Sequence, residues 1–315
     1  MYALHVPAAG EQPRLGELSV PQIQPGHVLV KVKAAGLNPI DNVLAAGVMS
    51  AMMPHEYPLV LGRDAAGVVE AVGDGVTDVK AGDEVFGHVP LAPPIQAGTL
   101  AEYVLLPTAN VAVKPAGIDF VTAAALPLAS AAAIASIEAI GPRSGEVVLV
   151  NGATGGVGSY AVQLLAARGV TVIATGTEAD IERLAKLGAT SVVDYTSGPV
   201  ADQVRHAFPD GVHALINLVG NTPDEVPLAA VTKGGKVATT TMAPDTDTLA
   251  AAGLTGTSVF AAPGREVILP VAEEAAAGTL TVEIDTVLPL TEAADGLAIL
   301  AAGKAKGKIV VDLGV

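Results

Sequence analysis

The feature that most constrains the fold of this chain is a central stretch, Glu146–Gly158, which combines a strand, a glycine-rich turn and a helix start. The strand, Val147–Asn151, is a short apolar run, and the helix is predicted over Ser159–Arg168, ending at Gly169. Such a turn lets backbone N–H groups approach a pyrophosphate, which then lies at the positive end of the helix. The stretch therefore predicts a parallel sheet that binds a dinucleotide cofactor.

The turn departs from the strict pattern G-x-G-x-x-G, because the best register has an alanine where the first glycine would stand. The predicted pyrophosphate-binding residues in this register are Ala153, Thr154, Gly155, Gly156, Val157 and Gly158. A second apolar strand, predicted over Val170–Thr175, ends about twenty residues beyond Gly155, where such a fold recognises the ribose. The alternative is a glycine-rich turn that binds no ligand.

Strands alternate with helical patterns through residues 120–261, which predicts a doubly wound α/β domain. Its six strands are expected at Val147–Asn151, Val170–Thr175, Ser191–Asp194, Ala214–Leu218, Lys236–Thr241 and Thr257–Ala261. Residues 1–119 show short alternating apolar and polar runs punctuated by proline and glycine, which is typical of a β-rich domain. A lone strand, Lys308–Leu313, is expected to return to that first domain, which would then comprise residues 1–119 and 262–315.

Charge and cysteine content exclude several functional classes. The net charge of −15 argues against nucleic acid and against an anionic membrane surface as partners. The chain has no cysteine, which excludes disulfides and thiolate metal sites. No secretory signal is recognisable at the start, and the uncharged run Phe120–Ile137 is expected to form a buried alanine-rich helix pair. These features predict a cytoplasmic protein.

Five motifs, taken in order, resemble the medium-chain dehydrogenase/reductase superfamily. They are Ala35–Asp41, Pro58–Gly73, Ala81–Gly87, Gly98–Val104 and the glycine turn Gly155–Gly158. The resemblance implies a GroES-like β-rich catalytic domain and a Rossmann cofactor domain. Within the superfamily, the chain is most similar to the zinc-free quinone oxidoreductase branch, which includes the zeta-crystallin-like proteins.

The resemblance also indicates which residues take part in catalysis. Zinc-dependent members place a cysteine and a histidine where this chain has Asn38 and Arg63, so no zinc is expected. Asn38 is expected near the nicotinamide or as a turn residue, Asp41 as its orienting partner, a proton relay or a helix cap, and Arg63 beside the cleft. His88 is expected to be a surface or internally hydrogen-bonded histidine. No general acid is apparent, which leaves solvent as the proton source.

The end of the second strand favours NADPH over NADH, because it carries no acidic residue before Glu178 to bind the ribose 2′-hydroxyl. A tyrosine after the third strand is typical of NADPH-using members of the branch, and the nearest cation is an arginine. The predicted cofactor residues at this edge are Thr175, Gly176, Thr177, Arg183, Tyr195 and Val219. The alternatives are that Glu178 faces the ribose and that Tyr195 is a packed turn residue.

These observations predict an enzyme, a zinc-independent NADPH-dependent reductase that transfers a hydride to a small-molecule quinone or an α,β-unsaturated carbonyl. The last strand of the cofactor domain, Thr257–Ala261, is expected to pair with its copy in a homodimer. Two alternatives remain open at this stage. One is an enoyl reductase of a biosynthetic pathway intermediate, and the other is a non-catalytic NADPH-binding sensor.

Overall fold

A computed structural model of the protein describes residues 1–314 and divides into two compact units. Unit 1 comprises Met1–Ala129 and the chain from Ala262 onward, and unit 2 comprises Ser130–Ala261. The first division lies ten residues later than the predicted boundary between residues 119 and 120, so the segment 120–129 belongs to unit 1. The physical reason is close packing within unit 1, where a Cβ atom on Gly36 would lie 2.3 Å from the carbonyl oxygen of Ala124.

Unit 1 is built on two sheets. Its strands are β1 (Tyr2–Val6), β2 (Arg14–Glu17), β3 (His27–Gly36), β4 (Leu59–Val60), β5 (Asp64–Val72), β6 (Glu84–His88), β7 (Tyr103–Pro107) and β8 (Val111–Val113). The first sheet has the order β2-β1-β4. In the second, the long strand β3 pairs with both β5 and β7, and β6 and β8 continue the sheet beyond β5.

Unit 2 contains a six-stranded sheet in which every pairing is parallel. Its strands are β9 (Val147–Asn151), β10 (Thr171–Gly176), β11 (Ser191–Asp194), β12 (Val212–Asn217), β13 (Val231–Thr239) and β14 (Thr255–Ser258). The order is β11-β10-β9-β12-β13-β14, which is the order of a dinucleotide-binding doubly wound fold, with its switch point between β9 and β12. Strand β14 begins and ends earlier than the predicted Thr257–Ala261, because Thr255 is already in register with Lys236 of β13.

The last two strands, β15 (Ile284–Pro289) and β16 (Lys308–Asp312), complete the larger sheet of unit 1. Strand β16 runs antiparallel to β3, with Val310 opposite Gly36, and parallel to β15. The predicted return of the final strand to the first domain is therefore confirmed.

Nine α-helices lie within residues 1–314. They are α1 (Pro39–Ala45), α2 (Phe120–Ala124), α3 (Pro127–Ile140), α4 (Gly156–Ala167), α5 (Ile181–Lys186), α6 (Val200–Ala207), α7 (Thr246–Ala251), α8 (Arg265–Ala276) and α9 (Ala293–Ala301). The predicted helix pair in the uncharged run is present as α2 and α3. Helix α5 is preceded by a 3-10 turn, Glu178–Asp180, which the Asp180 carboxylate caps by accepting from the N–H of Thr177.

Both units bury aliphatic cores, as expected for a chain with 3% aromatic residues. In unit 2, Leu149, Ile173 and Leu215 of the central strands are fully buried and pack with the helices on the sheet. None of the helices in the described part of the chain, residues 1–314, has the length and apolar character needed to span a membrane.

Candidate functional site

The glycine-rich turn of unit 2 connects β9 to α4 and has the shape that a pyrophosphate requires. Gly152 adopts a positive φ of 87°, so it makes the sharp turn one residue before Ala153, the position that the sequence register assigned to the first glycine. A Cβ atom on Gly158 would lie 2.3 Å from the carbonyl oxygen of Gly152, whereas one on Gly155 would meet nothing closer than 3.6 Å. Gly158 therefore allows close helix–strand packing, and Gly155 leaves the backbone open to a ligand.

A row of neutral polar side chains crosses the carboxyl ends of the four strands β10, β9, β12 and β13. Asn151 donates through Nδ2 to Oδ1 of Asn217 (2.9 Å), and Asn217 donates to the hydroxyl of Thr239 (3.3 Å). At the other end, the hydroxyl of Thr175 accepts from the N–H of Gly152 (2.8 Å). All four side chains are buried. We call Thr175, Asn151, Asn217 and Thr239 the amide row.

The amide row changes the interpretation of Thr175, which was predicted to contact the cofactor. Its side chain is 3% exposed and is engaged by the chain itself, so it supports the glycine turn. Sequence analysis missed Asn151 and Asn217. The available signal was an asparagine at the carboxyl end of each of two buried apolar strands, where parallel strand ends meet at one edge.

The remaining predicted cofactor residues meet at the same edge. Arg183 donates to the carbonyl oxygen of Thr154 in the glycine turn and to Oδ1 of Asp180, both at 3.4 Å. The Asp180 carboxylate also accepts from the N–H and the hydroxyl of Thr177, at 3.0 Å and 2.7 Å. The Asp180 carboxylate is thus occupied within the chain, while Arg183 brings a cation next to the glycine turn.

Three further predicted residues lie against this turn and strand end. Gly176 is buried, and a Cβ atom there would lie 2.8 Å from Cδ1 of Leu184. Tyr195 follows β11, donates its N–H to the carbonyl oxygen of Gly176 (3.3 Å) and is 53% exposed, which leaves its ring open to a ligand. Val219 packs over Gly152, since a Cβ atom on that glycine would lie 2.8 Å from Cγ1 of Val219.

Unit 1 contains a buried cluster of charged and polar side chains, which we call the charged cluster: Asn38, Asp41, Arg63, Asp64, His88 and Lys308. Asn38 precedes α1, and the Asp41 carboxylate caps that helix by accepting from the N–H of Asn38 (2.8 Å). The Asn38 amide is held at both ends, since Nδ2 donates to Asp64 (2.9 Å) and Oδ1 accepts from Lys308 (2.6 Å).

Asp64 is the centre of the charged cluster. Because β5 pairs with both β3 and β6, Asp64 lies opposite Gly36 on one side and His88 on the other. Its carboxylate accepts from Nδ1 of His88 (2.8 Å) and from the N–H of Leu128 (3.2 Å). Burial raises the pKa of Asp64, but the His88 hydrogen bond and the Lys308 charge outweigh that effect and hold the pKa below its usual value. Asp64 is therefore a carboxylate.

Lys308 supplies the facing cation, and sequence analysis did not identify it. Its ammonium group is buried, donates to the carbonyl oxygen of Leu37 (2.8 Å) and lies 3.7 Å from the Asp64 carboxylate. Burial lowers the pKa of Lys308, while Asp64 and Asp41 act in the opposite direction. The only sequence signal was a lysine at the first position of the apolar strand β16.

Asp41 and Arg63 are less completely satisfied. Burial raises the pKa of Asp41 to about 6, although the Arg63 charge acts against that rise. Arg63 donates through one terminal nitrogen to the carbonyl oxygens of Val60 and Ala97, and so connects the end of β4 with the segment at Ala97. Within residues 1–314, Oδ1 of Asp41 and Nε of Arg63 are buried without a hydrogen-bond partner.

Comparison with known proteins places this architecture in a family. The profile described as an alcohol dehydrogenase GroES-like domain matches residues 24–116, and the one described as a zinc-binding dehydrogenase matches residues 187–311. The NAD(P)H oxidoreductase RTN4IP1, mitochondrial, of Danio rerio is 30% identical over 92% of this chain and 84% of its own. The chain belongs to the medium-chain dehydrogenase/reductase superfamily.

Two further members of this superfamily show the range of the similarity. The NADPH-dependent alkenal/one oxidoreductase, chloroplastic, of Arabidopsis thaliana is 38% identical over 69% of this chain and 56% of its own. The chain thus spans about half the length of several curated relatives that it matches. A solved quinone oxidoreductase from Coxiella burnetii superposes with a TM-score of 0.89 at 26% identity, covering 99% of both chains.

The superfamily assignment confirms the predicted fold class, with a GroES-like unit 1 and a Rossmann-type unit 2. That Asn38 and Arg63 stand at the zinc-ligand positions of zinc-dependent members stays a prediction from the resemblance. Across residues 1–314, no group of three or more histidine, aspartate or glutamate side chains is arranged to hold a metal ion.

Proposed function

We propose that the protein is a metal-independent, NADPH-dependent reductase that acts on quinones or α,β-unsaturated carbonyl compounds. The observation that carries this proposal is the charged cluster at Asn38. A guanidinium such as that of Arg63 has no lone pair to offer a metal, and both ends of the Asn38 amide bind protein groups. An acceptor that is already polarised does not need a metal to stabilise an alkoxide.

The carboxyl edge of the unit 2 sheet fits NADPH. The open backbone at Gly155 and the start of α4 at Gly156 suit the pyrophosphate. Thr177, Arg183 and Tyr195 are proposed to surround the 2′-phosphate, because the cation is present and Asp180 is already occupied. When bound, the reduced nicotinamide supplies a hydride. The name of the Arabidopsis relative supports NADPH rather than NADH.

In unit 1, we assign Asn38 to the reacting side of the site, with Asp41 and Arg63 acting as positioning residues. Asp41 fixes the backbone of Asn38, and Arg63 connects the loops at Val60 and Ala97. The buried cations Lys308 and Arg63 favour the negative charge that develops on an acceptor oxygen. The names of the Arabidopsis and Coxiella proteins support an enone or a quinone as that acceptor.

We also propose a homodimer that forms through β14, the edge strand of the unit 2 sheet. The two most exposed large apolar side chains of unit 2 are Met242 at 86% and Phe260, two residues beyond β14, at 82%. Strand β14 carries only glycine and small polar side chains, but an exposed, unpaired edge strand still favours strand pairing with a second copy. The expected result is a dimer by light scattering, and Phe260→Asp should shift it towards monomer. A monomeric parent protein would contradict this proposal. The cytoplasmic location stays a prediction from the sequence.

The decisive experiment follows the loss of NADPH absorbance by the purified protein against quinones and simple enones, with and without a metal chelator. Turnover that survives the chelator is expected for at least one acceptor class. Turnover that chelation abolishes would contradict metal independence. NADPH binding without turnover of any acceptor would contradict the enzymatic proposal and favour a sensor.

A further inference from the structure

We infer that His88 is a catalytic residue that donates, from Nε2, the proton that completes the reduction. The inference rests on the proposed function, because it assigns the proton source for that reaction. His88 ends β6 and is 3% exposed, which places a titratable ring among the buried groups of the charged cluster. An imidazole is the side chain that ordinarily gains and loses a proton near physiological pH.

The hydrogen bond between His88 and Asp64 sets the tautomer of the ring. Asp64 is a carboxylate and can only accept, so Nδ1 of His88 must carry the proton of the 2.8 Å bond. In the neutral ring, Nε2 is then the unprotonated nitrogen, and in the imidazolium it is the nitrogen that can release a proton. A buried carboxylate behind a histidine stabilises the imidazolium and fixes its orientation, as in other proton-transfer sites.

The outer nitrogen of the ring remains available. Nε2 of His88 forms no hydrogen bond with any residue in 1–314. Unlike the unpartnered Oδ1 of Asp41 and Nε of Arg63, it is not fully buried. It therefore retains accessible surface although the ring as a whole is buried. Nδ1 of the histidine is thus committed to Asp64, and Nε2 carries the hydrogen-bonding capacity that the ring has left.

The location of the ring within unit 1 ties it to the proposed reacting side. His88 and Asn38 bind the two different oxygens of the same Asp64 carboxylate. The next residue along the chain, Val89, donates its N–H to the carbonyl oxygen of Arg63 (2.8 Å). The charged groups of this region are Asp64 on β5, Lys308 on β16, Asp41 on α1 and Arg63 before β5. Together they set the electrostatic potential at the ring of His88.

With an enone acceptor, the reduction consumes one hydride and one proton. A bound nicotinamide would supply the hydride for the β-carbon, and the acceptor would then be an enolate with its negative charge on the carbonyl oxygen. The Nε2–H bond of the His88 imidazolium breaks, and the proton bonds to the enolate. The ring is left neutral and regains its proton from water. For a quinone, the same proton would go to a hydroquinone oxygen.

The test uses the substitution His88→Asn, because an asparagine amide can still donate to Asp64 but cannot transfer a proton. The matched control is His206→Asn, an exposed histidine on α6. We expect kcat for an enone to fall about 100-fold in His88→Asn. The effect on an electron-poor quinone should be smaller, since its hydroquinone anion needs no immediate proton.

Two readouts in the absence of turnover separate this role from a purely structural one. Imidazole nitrogen NMR of the protein without cofactor should show the neutral ring of His88 as the Nδ1–H tautomer, held by Asp64. NADPH affinity and the thermal unfolding midpoint should be nearly unchanged in His88→Asn. An unchanged kcat for the enone, equal losses for enone and quinone, or an Nε2–H tautomer would overturn the inference. A parent protein without turnover would instead contradict the proposed function.

Discussion

The amide row of unit 2 and the charged cluster of unit 1 are both buried polar networks at the ends of strands. They differ in how the hydrogen-bonding groups of their side chains find partners. The amide row is neutral, and its hydrogen bonds run from one strand end to the next. The charged cluster holds two buried carboxylates and two buried cations, and two of its buried polar atoms have no partner within residues 1–314.

The difference follows from what burial costs each network. A neutral amide that keeps its hydrogen bonds is buried at little net cost. A buried charge must be paired, and losing one partner leaves the other uncompensated. We therefore interpret the amide row as structural support for the proposed cofactor-binding edge. We interpret the charged cluster as an energetically unfavourable arrangement that is consistent with the proposed role in the reaction.

The largest expected effect is the removal of the carboxylate at the centre of the charged cluster. Asp64→Ala should lower the free energy of unfolding by about 3–5 kcal/mol, because Lys308 would remain buried without its counter-charge. Chemical denaturation measures this, with the exposed Asp74→Ala as the matched control. A loss below about 1 kcal/mol would show that the cluster tolerates an unpaired cation and would weaken the comparison.

The next effect concerns pH. The pKa of Asp41 is raised from 3.8 to about 6 in the folded protein, so the protonated acid is favoured by folding. Stability from this group is fully present below about pH 4 and is lost as pH rises through about 6. This rise in the pKa of Asp41 corresponds to roughly 3 kcal/mol. Asp41→Asn should remove this loss of stability. The free energy of unfolding of the variant should therefore rise relative to that of the parent between about pH 4 and pH 6. Parallel pH profiles of the two proteins would contradict the assignment.

A smaller effect is expected in the amide row. Asn217→Leu should lower the free energy of unfolding by roughly 1–3 kcal/mol, because the partner atoms of Asn151 and Thr239 lose a hydrogen bond without leaving a charge behind. Denaturation of this variant is compared with that of Asn221→Leu, in which the replaced residue is exposed. If Asn217→Leu costs as much as Asp64→Ala, the contrast between the neutral and the charged network fails.

The smallest effect is expected at Arg183, a partly exposed cation at the binding edge. Arg183→Gln should weaken NADPH binding about tenfold, or roughly 1.4 kcal/mol, and leave NADH binding almost unchanged. Fluorescence titration with both cofactors gives the two dissociation constants, and Arg168→Gln, which alters an exposed residue at the end of α4, serves as control. Equal weakening for NADPH and NADH would show that Arg183 does not recognise the 2′-phosphate.

Strand and helix types were largely predictable, because they follow from local periodicity. The apolar run Val147–Asn151 and the glycines after it indicate a strand and a turn from the local sequence alone. Element ends were less predictable. The 3-10 turn at Glu178–Asp180 depends on a cap by Asp180, and the start of β14 depends on its register with β13.

What the sequence alone determined is the strand, glycine-rich turn and helix start at the centre of unit 2, because these depend on residue types at positions close together in the chain. Only the tertiary structure decided that Asn38, Asp64, His88 and Lys308 form one cluster. Lys308 lies 270 residues from Asn38 along the chain. They meet because β3, β5, β6 and β16 share one sheet, and the pairing of distant strands is a property of the whole core that local pattern does not encode.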